Sequence, residues 1–270
     1  MIIDVVILNC RINIFSEVIS MPNPLPKIDP AALVTQSMRL PGVRISREDF
    51  LRKQFKNYYS PATIQKAVDM NPAAAGIPRE AIERFAKESI KNETAKVSAI
   101  SFAAGIPGGL AVLGTVPADI AQYFGFILRI TQKLAYLYGF DEFRLKADEI
   151  DDSTMNDIMV FLGVMFGINE ANAAVVKLAE AVAQNIVTQL PQRALKKGAV
   201  YPLVKFIAQQ LGLQITRETF AKGVSKVIPV IGGAANGGMT YMSFRVCSNR
   251  LKNKFKELPI SDPSYYQSLE

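Results

Sequence analysis

Histidine and tryptophan are absent from the 270 residues, and cysteine occurs only twice. Without histidine there is no Ser-His-Asp or Cys-His catalysis and no imidazole ligand for a metal. Cys10 and Cys247 are too few for a zinc site. In a chain this long they read as reduced thiols in a cytosol, although a single disulfide between them stays open. Without tryptophan, only tyrosine could build an interfacial aromatic belt. Strand signals are nearly missing beyond residue 20. No segment repeats with a period of 20–50 residues, which argues against a solenoid. No catalytic constellation stands out, and neither a metal nor a cofactor is expected.

What is present is apolar. The chain is 49% hydrophobic and its mean hydropathy is +0.15. That value sits between soluble enzymes and proteins made of membrane spans. It fits an unusually apolar interior or a protein that visits a membrane surface. The length suffices for one large core. The formal net charge is +7. Most lysines and arginines are dispersed, without the dense stripe and interleaved aromatics of a nucleic-acid binder. No nucleic acid partner is expected. The exception is Arg245, Arg250, Lys252, Lys254 and Lys256. This basic helix end suits either a solvated surface or contact with anionic lipid.

Helix signals run along most of the chain. Ser46 with Asp49 resembles a capping box before REDFLRKQF. Ser60-Pro61 opens PATIQKAVDM, and Asn71-Pro72 stops it. Pro78 opens a long helix with Ile82, Phe85, Ala86, Ile90, Val97 and Ile100 at helical spacing. Pro117 opens the next, with Asp119, Gln122, Arg129 and Lys133 on one face and Gly139 as its stop. DEFRLKADEIDD reads as a charged connector. Ser153 and Asn169 are candidate caps of the two helices that follow. The predicted fold is an all-α bundle of eight to ten helices around a central glycine-rich helical hairpin. Residues 1–29 read as a weakly ordered N-terminal extension. Residues 30–257 form one helical domain, and 258–270 a polar tail without structure. The apolar start is broken by Asp4 and lacks a basic leader, so it does not read as a secretory signal.

Two stretches are nearly bare of side chains. The first, AAGIPGGLAVLGTVPADIAQYFG, spans 103–125 and carries Gly105, Pro107, Gly108, Gly109 and Gly114. It lacks the lysine and the preceding strand of a phosphate loop. Residues 97–118 carry no charge and are long enough to cross a bilayer, but glycine and proline interrupt them. A buried helix–turn–helix and a hairpin that inserts into lipid both remain open. Asp119, its only acid, belongs in a first helical turn, where the dipole favours it. The second stretch, VIPVIGGAANGGMTYM, carries Pro229, Gly232, Gly233 and Asn236. The two are expected to pack against each other, small face to small face.

The segments GGLAVLGTVPADIAQYFGFILRITQKLAYLYGFD and VIPVIGGAANGGMTYM resemble the EcsC protein family, at Gly108, Gly109, Asp119, Tyr138, Gly139, Pro229, Gly232, Gly233 and Asn236. The resemblance spans about 78–256 and is diffuse between the two motifs. It implies a bacterial, helical, membrane-associated protein from the neighbourhood of an ABC exporter, and it supplies no catalytic residues. The sequence-based expectation is a non-enzymatic protein peripheral to the cytoplasmic face of the membrane. The hairpin would supply apolar contact and the basic helix attraction to anionic lipid. The alternative is a soluble bundle holding an apolar ligand, a lipid or a protein partner in a cavity lined by small residues.

Overall fold

The computed structural model describes residues 29–104, 118–146, 149–188, 204–211 and 232–268. Ten α-helices lie among these residues. They are α1 (Pro30–Met38), α2 (Arg47–Phe55), α3 (Pro61–Asp69), α4 (Arg79–Ala104), α5 (Ala118–Leu137), α6 (Asp152–Phe166), α7 (Asn169–Thr188), α8 (204–211), α9 (Gly232–Lys256) and α10 (Pro263–Gln267). The protein is an all-α multi-helix bundle. The charged connector holds one short antiparallel pairing, Leu145–Lys146 against Glu149–Ile150.

Local chemistry explains most helix ends. The Ser46 hydroxyl accepts from the Asp49 amide at 3.2 Å, and Ser60 accepts from Thr63 at 3.2 Å. Each satisfies an amide that the first turn leaves unpaired. The cap of α6 is Asp151, not Ser153. Its carboxylate accepts from the Thr154 amide at 2.7 Å and also from the Ser153 hydroxyl. An acidic cap gains from the helix dipole what a hydroxyl does not. Asn169 is the first residue of α7 rather than its cap.

The framework is a long antiparallel pair, α4 and α9. Lys256, at the end of α9, reaches Glu83 near the start of α4 at 2.7 Å. Helix α5 runs back along α4, fixed by Lys133 on Glu93 at 2.6 Å, and α1 and α6 pack on α5. From Glu83 and Lys256, a rise of 1.5 Å per residue carries α4 about 32 Å to Ala104 and α9 about 36 Å to Gly232. The end of α4 and the starts of α5 and α9 therefore share one end of the bundle. The opposite end is aromatic. Phe140, Phe161 and Phe255 come from three different segments, with ring centroids 4.8–5.0 Å apart in tilted or edge-on pairs. Burying one phenylalanine side chain contributes about 1.5–3 kcal/mol.

The segment after α9 is the largest departure from expectation. The tail that reads as unstructured folds back as a short 3-10 turn (Pro259–Ser261) and α10. Leu258, Ile260 and Tyr266 are buried. The Asn71 side-chain amide donates to the Tyr266 hydroxyl at 2.6 Å, while its carbonyl accepts from the Ala74 amide at 2.7 Å. Gly139 (φ +101°) seals the same spot. A Cβ there would lie 3.2 Å from both Asn71 and the Ile260 carbonyl. Three apolar anchors hidden among serines and an aspartate are enough to dock a segment whose composition looks polar.

Candidate functional site

Of the residues singled out from sequence, Gly105, Pro107, Gly108, Gly109, Gly114 and Pro229 lie outside the described residues. Asp119 falls in the first turn of α5, and Gly232, Gly233 and Asn236 open α9. The expected packing of the two glycine-rich stretches against each other lies outside the described residues.

The basic residues of α9 do not form a free patch. Lys252 is buried, with its ammonium 3.8 Å from Glu83, and Lys256 binds the same carboxylate. Lys254 pairs with Glu257 at 3.3 Å. Arg250 reaches the Met165 carbonyl at the end of α6. Arg245 instead lies over the Tyr241 ring, 5.8 Å from its centroid, and donates to its hydroxyl at 2.9 Å. Tyr241, Met242 and Val246 around it are exposed. This stripe lies near the middle of α9. It joins an aromatic, two apolar side chains and a cation on one helix face.

A charged cluster lies inside the bundle. Glu93 of α4 has no exposed side-chain surface, yet it is ionised. Arg129 grips it through Nε and Nη2 at 2.9 and 3.1 Å. Lys133 binds it at 2.6 Å and Lys96 at 3.2 Å. Burial pushes this carboxyl upward, but the hydrogen bonds and charges of Arg129 and Lys133 outweigh it and hold it at about 2. Burial draws the Lys133 ammonium down, opposed by Glu93. Three cations thus meet one carboxylate, and two positive charges stand uncompensated among the described residues.

Arg129 also donates to the Gly42 carbonyl and closes one end of a cleft of about 580 Å³ between α5 and the α1–α2 loop. Leu40, Pro41, Val43 and Phe126 give it apolar walls. Gly125 forms part of the floor, where a Cβ would approach Val43 to 2.9 Å. No group of three or more Cys, Asp or Glu among the described residues is placed to hold a metal. None of the described helices is long and apolar enough to cross a membrane.

Titration follows from these surroundings. Hydrogen bonds from Lys256 and Lys87 hold Glu83 at about 2. Half-buried Asp157 is pushed up to about 8 by desolvation and by Asp141 and Asp151. Lowered carboxyls contribute stability above pH 4.5 that is lost as pH falls toward 2. The raised Asp157 acts the other way, and stability rises as pH falls from 8 toward its ordinary 3.8. Stability is therefore expected to peak near about pH 5. Thermal melts across pH 3–9 test this, and Asp157→Asn is expected to flatten the slope above the peak.

Comparison with family models, curated proteins and solved structures returns no match.

Proposed function

We propose that this is a non-enzymatic, EcsC-like helical protein that attaches peripherally to the cytoplasmic face of a bacterial membrane. The observation that carries this reading is the stripe of Tyr241, Met242 and Val246 beside Arg245, exposed midway along α9. Exposed apolar side chains of this size suit an apolar contact, and a tyrosine with an arginine suits a headgroup boundary. With Lys252 and Lys256 paired to Glu83 and Lys254 to Glu257, the electrostatic contribution is small. Each cation near an anionic leaflet adds about 1 kcal/mol. Apolar insertion therefore dominates, and binding is expected to survive salt. Neighbourhood to an ABC exporter, and any protein partner there, rests on the family resemblance.

Flotation with liposomes tests the reading. The protein is expected to rise with vesicles containing phosphatidylglycerol, at low salt and at 0.5 M salt. Met242→Glu is expected to abolish flotation without moving the thermal midpoint, because the side chain is solvent-exposed. Sedimentation of the wild-type chain away from every vesicle composition would reject membrane attachment.

A further inference from the structure

The cleft beside Arg129 has a shape and polarity that the membrane reading does not use. Residues Ala121, Gln122, Gly125, Phe126 and Arg129 form one stripe along two turns of α5. At Gly125 the stripe packs directly on Val43 and Leu40, and its open side runs along Gln122, Phe126 and Arg129. Its length is about 12 Å, the reach of an extended chain of about ten carbons. The apolar walls lead toward the guanidinium at one end. Charge there is unbalanced, because Arg129, Lys133 and Lys96 share the single carboxylate of Glu93. Arg129 has five N–H groups. Nε and one on Nη2 hold Glu93, and one on Nη1 holds the Gly42 carbonyl. One N–H on each terminal nitrogen is left to donate to an anion.

We infer that this cleft binds a fatty-acid carboxylate, with the alkyl chain along α5 between Leu40 and Phe126 and the headgroup on Arg129. The acid balances part of the excess positive charge, and the chain covers the partly exposed Leu40 and Phe126. Glu93 holds the guanidinium in place before the ligand arrives, so little ordering is needed on binding. Binding requires no bilayer, so its test is independent of membrane attachment.

The experiment is isothermal titration of the full chain, without vesicles, using decanoate, 1-decanol and decyltrimethylammonium below their micelle concentrations. Decanoate is expected to bind with one-to-one saturation, about ten-fold tighter than 1-decanol, with the cation weakest. Removing Arg129 would also disturb Glu93, so the informative variant is Leu40→Glu at the partly exposed wall. It is expected to weaken decanoate by about ten-fold or more while the thermal midpoint holds. Equal affinity for all three amphiphiles, absence of saturation, or decanoate binding untouched by Leu40→Glu would each overturn the assignment.

Discussion

Glu93→Ala is expected to lower folding stability by about 3–5 kcal/mol, read as a fall in the urea midpoint with little change in slope. The wild-type carboxylate has no exposed side-chain surface, while Arg129 and Lys133 are only 22% and 14% exposed. Removing the anion strands two poorly solvated cations side by side, and both α4–α5 tethers disappear. Lys96→Ala is the control. Its ammonium is 53% exposed, so the loss is expected to stay under about 1 kcal/mol. The cluster is not indispensable in principle. Replacing Glu93, Arg129 and Lys133 together with Leu, Met and Met is expected to recover most of the loss, since apolar side chains of similar volume escape the desolvation cost. Equal stability of the wild type and Glu93→Ala would remove the cluster from any structural role.

Arg47→Met is expected to cost about 3–4 kcal/mol. The Arg47 side chain is buried at the first position of α2. Its guanidinium donates to the Val68 carbonyl at 2.6 Å, to Met70 at 3.0 Å, to Phe140 at 3.2 Å and to Ala67 at 3.3 Å. Three of these carbonyls belong to the last turn and end of α3, where the dipole is negative and partners are otherwise lacking. The fourth fixes the turn after α5. Methionine fills the volume and removes the donor from four carbonyls, two in buried and two in partly buried contacts. Arg47→Lys is expected to recover less than half, because one ammonium cannot span carbonyls from two segments. Urea melts of the three proteins decide the matter. A lysine variant as stable as the wild type would show that charge alone, not the fork, is what the site requires.

Much of the helical frame was legible from sequence. Ser46, Ser60-Pro61, Pro78 and Gly139 mark helix ends within a residue or two of where they fall, because capping is a local interaction. The spacing puts Arg129 and Lys133 on a common face of α5, and they act together on Glu93. Glu93 itself carries a signal in the sequence. In the series Ile82, Phe85, Ala86, Ile90, Val97, Glu93 occupies a position on the apolar face. An acid there demands a cation from a neighbouring helix. Arg47 had no such signal. Its acceptors are backbone carbonyls about 20 and 93 residues away, and carbonyls leave no mark on a sequence. The basic run at the end of α9 misled for the opposite reason. Lysine spacing cannot reveal that Glu83, some 170 residues earlier, lies alongside.

The docking of Tyr266 and Ile260 against Asn71 and Gly139 has a consequence for biosynthesis. The main packing partner of α4 is α9, and the wedge that fastens the aromatic end follows α9. Both emerge from the ribosome after nearly everything they cover. At 5–20 residues per second, the stretch from the end of α4 to the end of α9 takes roughly 8–30 s to make. Throughout that interval the apolar face of α4 is without its final cover, and so are the rings around Phe140 once they are made. The nascent chain is therefore a natural client for chaperones that shield apolar surface. Nonsense mutations late in the reading frame should yield aggregates or degradation products rather than a shortened working protein.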